Sequence, residues 1–160
     1  FARIGYYCKE YHTQSRAYEK TFIMNNYELL IVEDDHIFTW MQSKLVKKST
    51  LHSGPLTFTN GKEAIEYLDK HAASLPSMLV LLDINMPVLN GWQFLEELQT
   101  KPYASRVRVV MLTSSVETSD KEKSETYPQV IGYYEKPLSL EICAEIKSGT
   151  NLFDNRHINL

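Results

Sequence analysis

MLVLLDINMPVLNGWQFLEELQ, residues 78–99, opens on an apolar run, passes through aspartate, asparagine, proline and glycine, and closes on a helical repeat. Residues 78–82 are continuously apolar, the pattern of a strand covered on both faces, and they form the strongest strand signal in the chain. Residues 91–99 place Phe94, Leu95 and Leu98 on one helical face. Between the two stands Asp83, where a buried strand meets a loop. A carboxylate at the rim of a core is costly unless it is paired or bound to a metal, so this position asks for partners.

The same alternation runs outward in both directions. ELLIV (28–32) predicts a strand, and DHIFTWMQSKLVKK (35–48) predicts a helix with Ile37, Met41 and Leu45 at helical spacing and lysines at its end. LTF (56–58) is a weak strand, and GKEAIEYLDKHAA (61–73) carries Ala64, Ile65 and Leu68 on one face. Beyond residue 99, VRVVML (107–112) predicts a strand, residues 119–127 a polar helix, VIGYY (130–134) a strand and LEICAEIKS (140–148) a closing helix. Strands and helices in regular alternation predict an α/β fold: a doubly wound, five-stranded parallel sheet with helices on both faces, because only such crossovers cover both sides of a parallel sheet.

At 160 residues, 43% hydrophobic and 23% charged, the chain has the size and composition of one globular domain. A net charge of −3 gives no basic footprint for nucleic acid, so direct nucleic acid binding is not expected. No run approaches the roughly 18 apolar residues of a membrane span, so neither is membrane insertion. Cys8 and Cys143 lie far apart without CxxC spacing, the usage of a reduced, cytoplasmic protein with incidental thiols. Residues 1–23 are rich in tyrosine and charge, lack a secretory apolar core and read as an N-terminal extension of unknown role. The domain is expected over residues 24–149. Residues 150–160 are then a tail too short for a helix-turn-helix output domain.

Polar residues fall at the carboxyl end of each strong strand: Glu33 and Asp34 after the first, Asp83 after the third, Thr113 after the fourth, Lys136 just past the fifth. In a parallel sheet those ends share one edge, where open α/β folds bind ligands at a topological switch point. Three carboxylates in one crevice raise one another's pKa and destabilise the fold unless a divalent cation balances them. Oxygen-only ligands favour Mg²⁺, and the lack of histidine or cysteine at these ends counts against zinc. Each feature has a plainer reading when taken singly. An acidic pair after a strand is often a helix cap, and here Asp34 or Asp35 can cap the next helix. Lys-Pro is a common turn, a threonine commonly ends a strand, and Tyr133 beside Tyr134 reads as packing.

Taken together, LLIVEDD, LLDINMPVLNG, VMLTSS and EKPLS, with 30 residues from Asp83 to Thr113 and 23 from Thr113 to Lys136, resemble the receiver domain of two-component response regulators over about residues 26–148. The resemblance implies the flavodoxin-like strand order 2-1-3-4-5 of the chemotaxis-type receivers. It implies that Asp83 accepts a phosphoryl group from a sensor histidine kinase or histidine phosphotransfer protein, making the chain a phosphoacceptor signalling protein rather than an enzyme acting on other substrates. Mg²⁺ would be held by Asp34, Asp83 and the backbone carbonyl of Asn85, with Glu33 acting mainly through water. Lys136 would meet the phosphoryl oxygens, Thr113 and Tyr133 would form the switch, and Asn85 and Ser115 would tune dephosphorylation. Pro87 and Gly91 would shape the loop. A stand-alone receiver would signal through a surface change read by a downstream protein, and a homodimer is a further possible partner. Two alternatives remain open at this point. One is a phosphorelay intermediate; the other is a Mg²⁺-dependent aspartyl-phosphate phosphohydrolase, which usually needs a second acid where this chain has Asn85.

Overall fold

The computed structural model describes residues 27–75, 77–114 and 117–149. Strands β1 (Glu28–Val32), β2 (Leu56–Phe58), β3 (Met78–Asp83), β4 (Val107–Thr113) and β5 (Val130–Glu135) alternate with helices α1 (His36–Lys48), α2 (Gly61–His71), α3 (Gly91–Gln99), α4 (Thr118–Glu125) and α5 (Leu140–Gly149). All strand pairs are parallel, in the order β2-β1-β3-β4-β5, as expected.

The central strand β3 is buried along its whole length, which is why its sequence is uniformly apolar until Asp83. Its neighbours split their side chains between two cores, as the period of two in a strand dictates. Leu30, Val32, Val80 and Leu82 face α2 and α3, which contribute Ile65, Leu68, Phe94 and Leu98. Leu29, Ile31, Leu79 and Leu81 face α1 and α5, which contribute Val46, Cys143 and Ile146. Cys143 is fully buried, with Ser49 beside its sulfur, and burial pushes its thiol pKa up. Fully burying a leucine such as Leu82 contributes about 1.5–3 kcal/mol, so the sheet is anchored most firmly at β1 and β3, the two strands that carry the acids.

Local chemistry fixes the helix starts. Asp35 caps α1, accepting from the N–H groups of Ile37 at 2.7 Å and Phe38 at 3.2 Å. Asn90 caps α3 in a reciprocal box with Gln93. One expectation shifts: Ile37 is 70% exposed, and α1 buries Gln42 and Val46 instead. The Ile37–Met41–Leu45 stripe is rotated about one position from the true inward face, because a polar residue sits at its centre. No helix among the described residues is long and apolar enough to cross a membrane.

Candidate functional site

The carboxyl ends of β1 and β3 and the turn after β5 deliver four charged groups to one point. Asp83 ends β3 and Glu33 follows β1; they are 5% and 2% exposed, while Asp34 is exposed. Carboxylate oxygens of Glu33, Asp34 and Asp83 all lie within 4.8 Å of one another. Lys136 reaches across from beyond β5, its Nζ 2.6 Å from Glu33 Oε2 and 3.1 Å from Asp83 Oδ1, with the ring of Phe38 beneath it at 4.7 Å. The backbone N–H of Lys136 donates to the Thr113 carbonyl at 2.7 Å, tying the turn to the end of β4. Because Asp35 is spent on capping α1, the first two acids are left for the site, which settles the choice that the sequence left open.

The electrostatics are unbalanced. Burial pushes the carboxyls of both Asp83 and Glu33 up, against the opposing pull of Lys136 and, at Asp83, of the backbone N–H groups of Asn85 and Ile84. Three carboxylates face one ammonium, an excess that suits one divalent cation, and the donors are all hard oxygens of the kind Mg²⁺ takes. The residues present therefore fit such an ion.

The loop after β3 is built for close approach. The Gly91 N–H donates to the Ile84 carbonyl at 2.9 Å, and a Cβ at Gly91 would sit 2.5 Å from the Asp83 carbonyl oxygen. Only glycine allows α3 to start this near the acid. Leu89 ties the same loop to α2 by accepting from the Gly61 N–H at 3.0 Å. Val88 takes φ of 67°, an uncommon conformation for a β-branched residue, and lies exposed at the loop's outer bend.

Residues 29–146 match the response regulator receiver domain family. The chain belongs to that family. Among curated relatives, the probable methanogenesis regulatory protein FilR2 of Methanothrix harundinacea is 32% identical over 117 residues, 71% of this chain and 74% of that protein. The transcriptional regulatory protein CitT of Halalkalibacterium halodurans is 30% identical over 72% of this chain, which spans only 48% of CitT. Among solved structures, a response regulator receiver protein from Dyadobacter fermentans superposes with a TM-score of 0.70 at 31% identity, covering 80% of this chain and 98% of that one. A two-component response regulator from Cytophaga hutchinsonii gives 0.71 at 26% identity, covering 81% and 98%.

In this receiver the structure brings Glu33, Asp34, Asp83 and Lys136 together, with Thr113 buried at the end of β4. Asn85 is exposed just past Asp83 and turns its N–H toward that carboxylate. The Tyr133 hydroxyl is buried next to Thr113, and burial above all pushes its pKa up. Ser115 lies outside the described residues. Sequence reasoning missed two neighbours of the receiver site, Phe38 under Lys136 and Gln42 on Glu33. A polar residue four positions from each of two apolar ones, Phe38 and Val46, was the signal for the second.

Proposed function

We propose that this receiver accepts a phosphoryl group on Asp83 from the phosphohistidine of a sensor kinase or histidine phosphotransfer protein. The observation that supports the reading best is the buried Asp83 carboxylate with Lys136 Nζ at 3.1 Å and two further acids within 4.8 Å. An Asp83 oxygen attacks phosphorus, the P–N bond breaks, and the imidazole nitrogen leaves with that electron pair. Such transfer asks mainly for positioning and charge neutralisation. Bound Mg²⁺ would supply positive charge to the nucleophile and the incoming oxygens, held by Asp34, Asp83 and the Asn85 carbonyl directly and by Glu33 through water.

The chain's own residues do the rest. Lys136 trades its contact with Asp83 for one with the phosphoryl oxygens, a charge-assisted hydrogen bond. Thr113 donates its hydroxyl to the same group and, with Tyr133, conveys the change to the surface of β4, β5 and α4, where a downstream protein reads it. Asn85 and Ser115 set how easily water reaches the acyl phosphate.

The test is incubation with acetyl phosphate and Mg²⁺ followed by intact mass. One phosphoryl adduct is expected on the wild type, trapped by hydroxylamine at Asp83, and none on Asp83→Asn. A normal yield with Asp83→Asn, or a label on Asp34, sinks the assignment. Lys136→Ala and Thr113→Ala should stay folded and lose the response to beryllofluoride that a binding partner detects in the wild type.

A further inference from the structure

One residue touches the receiver site without any role so far. Gln42, on the inward face of α1, is 3% exposed, and its Nε2 donates to Glu33 Oε2 at 3.1 Å. Glu33 has two other donors: Lys136 Nζ on the same oxygen at 2.6 Å, and the Asp35 N–H on Oε1 at 3.2 Å. They differ in kind. Lys136 is shared with Asp83, so any anion added at Asp83 competes for it. The Gln42 amide is neutral, sits on a regular helix and reaches no other acid of the cluster by any hydrogen bond among the described residues.

The rest of Gln42 is poorly served. Its Oε1 is buried and has no hydrogen-bond partner among the described residues. A buried acceptor left unmet destabilises a fold, and an apolar side chain, such as the valine one turn on at Val46, would avoid that penalty. Packing alone therefore does not account for an amide here. Its bond to Glu33 does.

We propose that Gln42 is a positioning residue of the receiver: its amide, anchored on α1, fixes the Glu33 carboxylate in the orientation that receives a hydrated Mg²⁺ and keeps it there when Lys136 turns to the phosphoryl group. The inference rests on the reading of Glu33, Asp34 and Asp83 as a divalent-cation site. Partners that orient a metal's acids matter to affinity, and their loss typically weakens binding roughly 10- to 100-fold. Mg²⁺ demands near-octahedral geometry and holds its waters, whereas Ca²⁺ accepts irregular, flexible shells. A Glu33 set loose should therefore harm Mg²⁺ binding more than Ca²⁺ binding.

Gln42→Met keeps the length of the side chain and removes both amide atoms. Calorimetric titration of the metal-free full chain with each ion, beside the wild type and Asp34→Ala, reads the outcome. Mg²⁺ affinity should fall roughly tenfold and Ca²⁺ affinity clearly less, with Tm at or above wild type. Mg²⁺ affinity equal to wild type, or an equal loss for the two ions, overturns the role of Gln42. Should Gln42→Met not fold, the same ratio is read from Gln42→Asn, which keeps an amide but withdraws it from Glu33. A wild type that binds no Mg²⁺ defeats the cation-site reading and this inference with it; wild-type binding matched by Gln42→Met defeats this inference alone.

Discussion

Among the described residues, Lys136 and Lys101 each pair with two carboxylates, and the two clusters behave oppositely. At the carboxyl end of the sheet, Lys136 sits between Glu33 and Asp83, all three side chains buried. Between α2 and α3, Lys101 meets Asp69 at 2.8 Å and Glu97 at 3.2 Å, and the Tyr103 hydroxyl donates to Asp69 at 2.7 Å, with both acids partly exposed. Hydrogen bonds from Lys101 and Tyr103 hold the Asp69 carboxyl below its usual range, whereas burial holds those of Asp83 and Glu33 above it. A similar pairing thus gives a satisfied tie in one place and an unsatisfied site in the other. What separates them is water: the surface cluster keeps it, and the sheet-end cluster has given it up for a single ammonium shared between acids. An ion pair that ends up short of positive charge marks a place where a ligand is wanted.

The largest effect expected from this contrast is on metal binding. Asp83→Ala and Asp34→Ala should each weaken Mg²⁺ beyond the roughly 10- to 100-fold typical of outer-shell partners, while Asp69→Ala leaves it unchanged by calorimetry. Loss of Mg²⁺ binding in Asp69→Ala would erase the distinction between the clusters.

Stability should move in opposite directions. In the metal-free protein, Asp83→Asn relieves a buried charge and is expected to raise Tm by about 2–5 °C, on a scale where 1 kcal/mol is worth roughly that much in a domain of this size. Asp69→Asn should lower Tm, by no more than about 5 °C, because pairs that keep water contribute at most about 1 kcal/mol. Differential scanning calorimetry without metal decides both signs.

Acidity sharpens the comparison. The folded protein holds protons on Asp83 and Glu33 more tightly than the unfolded chain does, so their charges oppose folding once pH has risen through the folded values, and the penalty disappears below the unfolded ones. The Tm advantage of Asp83→Asn should accordingly be full at neutral pH and vanish near the ordinary aspartate value of 3.8. For Asp69 the folded value is depressed, so its contribution is complete above 3.8 and is lost only as pH falls through the lower folded value. The deficit of Asp69→Asn should survive at pH 4. Smallest of all, Tyr103→Phe removes one hydrogen bond to Asp69 and should cost about 0.5 kcal/mol by urea titration, the low end for a single hydrogen bond, with Mg²⁺ affinity untouched.

The sheet-end cluster was legible in the sequence because topology alone assembles it: residues at the ends of parallel strands must share an edge, whatever their side chains do. Element ranges followed from the same alternation, and the strand order from the resemblance to receiver domains. The α2–α3 tie was not legible, since Asp69, Lys101 and Tyr103 are surface-type residues on separate elements and only the packing of two helices makes them meet. The inward face of α1 was misjudged for a related reason. Hydrophobic spacing favoured Ile37, but what α1 must cover includes Glu33, and there an amide serves where an aliphatic chain cannot. The irregular register between Val109 and Val110, where β5 joins β4, also left no trace in a run that alternates little.

Cys143 turns the packing of α5 into something that can be timed. Its thiol lies fully buried between that helix and the sheet, and burial keeps it protonated, so alkylating reagents can reach a reactive thiolate only when α5 lifts away. With Cys8, the chain's other cysteine, replaced by serine, the labelling rate becomes a clock for local opening of α5, separate from global unfolding. Because α5 follows directly on the turn that carries Lys136, slower labelling in the presence of beryllofluoride would register, at a sulfur buried under that helix, that the lysine has found its anion.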